Sequence, residues 1–88
     1  MRLLLVEDHP ELAAHLSELL RALGHEVEVA ATGPAGLEAA VQRTPDILIL
    51  DRMLPGLDGL TVCRRLRDEH RLDIPILMLT ALDTIADR

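Results

Sequence analysis

A parallel α/β sheet covered by helices on both faces is the fold class that this 88-residue sequence predicts. Three observations carry it. Runs of four apolar residues at 3–6, 47–50 and 76–79 are bounded by polar or turn residues, as strands buried on both faces are. Between them lie stretches of helical periodicity, so strand and helix alternate with connections of a few residues. Alternation of this kind joins parallel strands through right-handed crossovers.

The elements follow in order. The run 3–6 ends on Glu7-Asp8, and His9-Pro10 starts a turn. Proline suits the first helical turn, where its missing N–H would have no partner anyway. Leu12, Leu16, Leu19, Leu20 and Leu23 recur at helical spacing and predict the buried face, with Glu11, His15, Ser17, Glu18 and Arg21 on the other. Gly24 stops that helix. His25-Glu26-Val27-Glu28-Val29 alternates, which suits a strand at the edge of a sheet. Residues 30–34 read as a turn, and Leu37, Ala40 and Val41 mark a narrow stripe on a second helix that Thr44-Pro45 ends.

The run 47–50 stops abruptly on Asp51, after which Pro55-Gly56 and Asp58-Gly59 force a structured loop. From Leu57 or Gly59 to about Glu69, Leu60, Cys63 and Leu66 are expected inside, with Arg64, Arg65, Arg67 and Asp68 in water. Asp73-Ile74-Pro75 leads into the run 76–79, which closes at Thr80-Ala81. Residues 83–88 read as the first turn of a fourth helix.

Composition narrows the function. A chain of this length forms one small domain, 1–88. Its net charge is −6 with no basic run, so this segment is not expected to bind nucleic acid. Phe, Tyr and Trp are absent, which leaves no aromatic platform for stacking bases. The single cysteine, Cys63, excludes an internal disulfide and fits a reducing compartment. It is expected to act as a small buried hydrophobe. No stretch reaches the ~20 apolar residues of a membrane span, and the start lacks a signal-peptide pattern. A cytoplasmic location and no membrane partner are the expectations.

An aspartate that merely ends a strand or caps a turn is common. Asp51 gains weight from Glu7-Asp8, delivered by a second parallel strand to the same carboxyl edge. Ligands bind at that edge in open α/β sheets. Like charges packed together raise the pKa of one member unless a cation intervenes. Hard oxygen ligands with room for water suit Mg²⁺. Glu7, Asp8 and Asp51 therefore predict a divalent-cation pocket that holds one reactive carboxylate.

The pattern of Leu5-Val6-Glu7-Asp8, Asp51 after an apolar strand, Leu54-Pro55-Gly56 with Asp58-Gly59 behind it, and Leu79-Thr80-Ala81 resembles the receiver domain of bacterial two-component response regulators. The match extends over the whole chain. It implies a flavodoxin-like, doubly wound parallel sheet of strand order 2-1-3-4, with the fifth strand and helix absent from this chain. It also implies that Asp51 is the phosphoacceptor for a sensor histidine kinase. Asp8 would be a direct Mg²⁺ ligand, with Glu7 reaching the ion directly or through water and the Met53 backbone carbonyl completing the protein ligands. Thr80 would be the hydroxyl that hydrogen-bonds the aspartyl phosphate and moves on activation. Pro55 and Gly56 would shape the loop that keeps Asp51 exposed. Such a domain is a phosphoacceptor signalling module rather than an enzyme. The tail 80–88 is similar to the subgroup whose receiver precedes a winged-helix DNA-binding domain, which implies transcription regulation by a domain beyond this chain.

One departure stands out. A receiver has five strand-helix units, a lysine at the end of the fifth strand and an aromatic switch residue; this sequence contains no Lys, Phe or Tyr. It is therefore expected to be the first four units of a longer regulator. The strand 76–79 then becomes an apolar edge, the sheet beside 3–6 loses part of its cover, and a homodimer is expected to hide both. Two alternatives belong to other classes. An aspartate-nucleophile phosphatase usually has a second acid two residues after the nucleophile, where Met53 stands here. A pseudo-receiver without phosphorylation is opposed by the set Glu7, Asp8, Asp51 and Thr80. His9, His15, His25 and His70 are scattered singly and are expected to be solvated or partly packed. The arginines at 64, 65, 67 and 71 interleave with Asp68, Glu69 and Asp73 as a solvated face. Arg52 is a candidate contact for the kinase or the incoming phosphate.

Overall fold

The computed structural model describes residues 1–52, 54 and 56–79. Within them the chain runs β1 (Arg2–Val6), α1 (Pro10–Ala22), β2 (Glu26–Ala30), α2 (Gly33–Gln42), β3 (Ile47–Asp51), α3 (Gly59–Asp68) and β4 (Ile76–Leu79). The strands form one sheet of order β2-β1-β3-β4, and every neighbouring pair is parallel. The α/β class and the expected strand order are both observed. The helix expected from 83 onward lies outside the described residues.

β1 and β3 take the middle because both of their faces are apolar. Leu3 to Val6 are all buried, as are Leu48 and Leu50. On one face Leu4, Val6, Leu48 and Leu50 form a single cluster with Ala40 of α2 and Val62 and Leu66 of α3. Burying each such leucine contributes about 1.5–3 kcal/mol, so this layer dominates the stability. β2 is an edge, with Glu26 and Glu28 exposed and only Ala30 buried. It starts and ends one residue later than the alternation predicted.

Arg2 fixes the entry to β3. Its backbone N–H donates to Asp46 Oδ2 at 2.7 Å, and its guanidinium donates to the carbonyls of Thr44 at 3.0 Å and Arg43 at 3.1 Å. Thr32 caps α2 by accepting from the Ala35 N–H at 3.1 Å. Gly33-Pro34 therefore belong to the first helical turn and not to a separate turn. α2 lies close on the sheet: a Cβ on Gly36 would come within 2.6 Å of Val6 Cγ2.

Three expectations about buried faces need correction. In α1 the buried residues are Ala13 and Ser17, while Leu12, Leu19 and Leu23 are 44%, 54% and 73% exposed. Ser17, expected in water, donates its hydroxyl proton to the Ala14 carbonyl at 3.0 Å. The reason is steric. α1 rests on β1 and β2 with its small residues innermost, which permits close approach; Leu16 and Leu20 are half-buried beside them, and Leu12, Leu19 and Leu23 point past that contact. In α3 the buried residues are Gly59, Val62 and Leu66, with Leu60 exposed and Cys63 half-buried against the core. Finally, the bare part of the sheet is not beside Leu3 to Val6, which are buried. It lies over β4, where Leu77 is 56% exposed.

Candidate acidic site at the carboxyl edge

The β1–β3 register pairs Val6 with Leu50, so Glu7 and Asp51 leave neighbouring strands side by side. Glu7 continues the ladder to β2 by donating its N–H to the Ala30 carbonyl at 2.9 Å. Its side chain is thereby drawn inward, and the residue is only 4% exposed. One oxygen, Oε2, accepts the His9 backbone N–H at 3.1 Å. The Asp51 carboxyl lies within hydrogen-bonding reach of the Glu7 carboxyl. Asp8 is exposed and Asp51 half-buried.

These surroundings push the Glu7 pKa above its ordinary value of 4.5. Burial is the largest cause. The His9 N–H opposes it, while the charge of Asp51, its hydrogen bond and the charge of Asp8 reinforce it. The site is thus an anionic cluster under mutual repulsion, and its oxygen donors fit a hard divalent cation. One donor atom from each of Glu7, Asp8 and His9 lies within 4.8 Å of the others.

The loop after Asp51 is anchored at both ends. Leu54 is buried in the core, and the Arg52 N–H donates to the Leu79 carbonyl at 3.2 Å, tying the strand end to β4. Gly56 adopts φ +82°, the left-handed region that glycine enters without strain. Asp58 caps α3 by accepting the Thr61 N–H at 2.9 Å, and that bond is the main cause holding its carboxyl below the usual range. Gly59 starts the helix against the end of β3: a Cβ there would sit 2.6 Å from the Asp51 carbonyl oxygen and 2.9 Å from Arg52 Cα. The helix start and the Asp51 backbone are therefore in direct contact.

Of the residues singled out in the sequence, Glu7, Asp8 and Asp51 come together at the carboxyl edge. Arg52 is exposed beside them. Met53, Pro55 and Thr80 lie outside the described residues, as does the tail 81–88. His9 is the residue that the sequence reading passed over. Like the other three histidines it stands singly in the sequence, yet a ring nitrogen of it lies within 4.8 Å of carboxylate oxygens of Glu7 and Asp8. The available signal was its place directly after Glu7-Asp8 at a helix N-cap, where Ser, Thr, Asp or Asn is usual.

A separate groove of about 520 Å³ runs between α2 and α3 over Leu37, Val41 and Leu57, and contains no member of the acidic cluster. No helix among the described residues is long and apolar enough to cross a membrane.

The family model described as "Response regulator receiver domain" matches residues 3–88. Among curated proteins, the DNA-binding dual master transcriptional regulator RpaA of Synechocystis sp. is 48% identical over 88 residues, covering 99% of this chain and 36% of that protein. The response regulator MprA of Mycobacterium leprae is 44% identical, covering 100% of this chain and 38% of its own length. The chain thus spans just over a third of these relatives. Among solved structures, the BeF3-activated receiver domain of Klebsiella pneumoniae RstA superposes with TM-score 0.87 at 36% identity, covering 99% of this chain and 73% of that one. The Thermotoga maritima response regulator TrrA, solved in complex with Mg²⁺-BeF, gives TM-score 0.85 at 32% identity, with coverage of 98% and 74%.

Proposed function

Since the chain belongs to the response regulator receiver domain family, we propose that Asp51 accepts a phosphoryl group from a sensor histidine kinase and that this event switches an output. The observation that carries the reading is the position of Asp51 at the end of β3, beside the buried Glu7 and near Asp8. One Asp51 carboxylate oxygen attacks phosphorus while the P–N bond to the kinase histidine breaks, which leaves an acyl phosphate on Asp51 and returns the histidine.

Glu7, Asp8, Asp51 and the Met53 backbone carbonyl would hold Mg²⁺. When bound, that ion supplies positive charge that offsets the negative phosphoryl oxygens. The remaining roles belong to the protein. Burial and the His9 N–H keep the Glu7 carboxyl in one place. The contact of Gly59 with the strand end fixes the Asp51 backbone. Arg52, exposed next to Asp51, is a contact for the kinase or the incoming phosphate. The Thr80 hydroxyl donates a hydrogen bond to the phosphorylated side chain and so relays its presence.

RpaA is a DNA-binding transcriptional regulator by name, which supports a DNA-binding output, of the winged-helix kind, elsewhere in a longer cytoplasmic protein. Residues 1–88 would then be the first four strand-helix units of its receiver domain. Exposed Leu12, Leu19, Leu23 and Leu77 also favour a homodimer of the 88-residue chain.

Incubation with a small phosphodonor and Mg²⁺, followed by mass spectrometry, tests the central claim. One phosphoryl group should be added to the wild type and none to Asp51→Asn or Asp51→Ala. A modification that persists in Asp51→Ala, or that maps to a histidine, would overturn the assignment.

A further inference from the structure

The groove between α2 and α3 shares no residue with the acidic cluster, and the phosphoacceptor chemistry makes no use of it. We infer that it binds a small zwitterionic amphiphile, of the class of short apolar peptides with both termini free, with the ammonium group at Glu38 and the carboxylate at Arg65 and His70.

Shape is the first argument. The groove holds about 520 Å³, within the range of about 300–1,000 Å³ usual for small-ligand sites. Its floor is apolar: Leu37 and Leu57 are half-buried, and Val41 is 40% exposed. Covering such a floor removes apolar surface from water, which favours an occupant with an apolar middle.

The walls stand before any ligand arrives. Each helix is capped within its own first turn, α2 by Thr32 and α3 by Asp58. The loop after β3 ties them together: a Cβ on Gly33 would collide with the Leu57 carbonyl, and one on Gly56 would touch Pro34 Cδ at 3.4 Å. Residues 56 and 57 thus join the start of α2 to the start of α3, and an occupant does not have to order the groove in order to bind.

Charge selects the occupant. α2 contributes Glu38 to one wall and α3 contributes Arg65 to the other, with His70 just beyond the end of α3. Among the described residues Glu38 takes part in no ion pair, and Arg65 has only Glu69 of its own helix, at 3.9 Å with both side chains about half exposed. A contact of that length and exposure contributes little, so the guanidinium can turn toward the groove. Opposite charges therefore face each other across an apolar gap. A fatty carboxylate would leave Glu38 without a partner, and a dianion would be repelled by it. A positive end, an apolar middle and a negative end match all three parts. In an extended dipeptide the terminal groups are about 7 Å apart, whereas a free amino acid carries both charges on one carbon. Gln42, one helical turn beyond Glu38, supplies an amide that can pair with the peptide bond.

NMR titration of the 88-residue chain with the dipeptide Leu-Leu provides the test, with N-acetyl-Leu-Leu, Leu-Leu amide and free leucine as comparators. Shifts should centre on residues 37, 41, 57 and 65. Blocking either terminus should weaken binding about threefold, the loss expected of one exposed ion contact. Free leucine, which covers less of the floor, should bind at least about tenfold more weakly. Variants at exposed positions assign the ends. Glu38→Gln should abolish the preference for the free amine and keep that for the free carboxylate. Arg65→Gln should shrink the preference for the free carboxylate and keep that for the free amine. Val41→Gln should weaken all the peptides alike.

Equal affinity for free and blocked peptides, variants that fail to distinguish the two ends, leucine binding as tightly as Leu-Leu, shifts centred on another surface, or no binding of Leu-Leu at millimolar concentration would each overturn the inference. None of these outcomes bears on phosphorylation of Asp51.

Discussion

Glu7 and Asp51 meet one step beyond the Val6–Leu50 register pair, where β1 and β3 leave the sheet, and the charge of Asp51 helps burial to hold the Glu7 pKa above its ordinary value. The pairing follows from backbone register, so it is present before any ligand arrives. A buried acid beside a second acid costs stability when both are charged, which is the property a bound cation reverses.

Replacing Glu7 should reveal that cost. Its folded-state pKa is raised above 4.5, so its favourable contribution is present below that value and is lost as pH rises through the raised one. In chelator at pH 7, Glu7→Gln should therefore be more stable than wild type in denaturant melts. The difference should shrink as pH falls below 4.5. A stability change of the same size at both ends of the range would mean that ionisation of Glu7 is not its origin.

Relief of the same repulsion predicts the metal response. Without phosphate, Mg²⁺ should bind weakly to wild type and more weakly still to Asp8→Asn and Asp51→Asn, each of which removes one carboxylate charge. Titration followed by NMR shifts of residues 7, 8 and 51 would measure it. Equal affinity in all three proteins would place the ion elsewhere.

Gly36 faces Val6 so closely that a Cβ would meet both of its γ-carbons, at 2.6 and 2.9 Å. Overpacking of this kind costs about 1–3 kcal/mol, so Gly36→Ala should lower stability by that much. Val6→Ala removes the atoms in conflict. The double variant should therefore be more stable than the sum of the two single losses predicts, with a coupling of about 0.5–3 kcal/mol. Strict additivity would show that α2 moves away from the sheet.

The cost of replacing a leucine should follow its exposure and not its place in a helical period. Leu19→Gln and Leu23→Gln alter exposed positions and should change stability by no more than about 0.5 kcal/mol. Leu66→Ala, in the core, should cost about 2–5 kcal/mol. If the exposed stripe mediates self-association, light scattering should show a smaller species for the two glutamine variants than for wild type. An unchanged mass would place the contact at another surface.

Much of this protein was legible in its residues. The apolar runs end where the strands end, Gly24 terminates α1 with φ +95°, and Asp51 stands at the carboxyl edge because the residues before it bury both faces of a strand. Those features are local: hydrophobic period and turn chemistry act over a few residues and require no knowledge of neighbours. The gathering of Glu7 with Asp51 was also accessible, since parallel strands present the same end of each run to one edge.

Direction was not legible. Five leucines at helical spacing identify α1 correctly, but periodicity says only that a stripe exists, not which element it meets. Tertiary packing set the small residues Ala13 and Ser17 against the sheet, because they let the helix approach most closely, left Leu16 and Leu20 half-buried and turned Leu12, Leu19 and Leu23 outward. His9 is the same case at the site. Its partners depend on Glu7 being drawn inward by the Ala30 carbonyl and on the start of α1 being tied back to Glu7 Oε2. Both are contacts across space, formed only once β1, β2 and α1 are assembled.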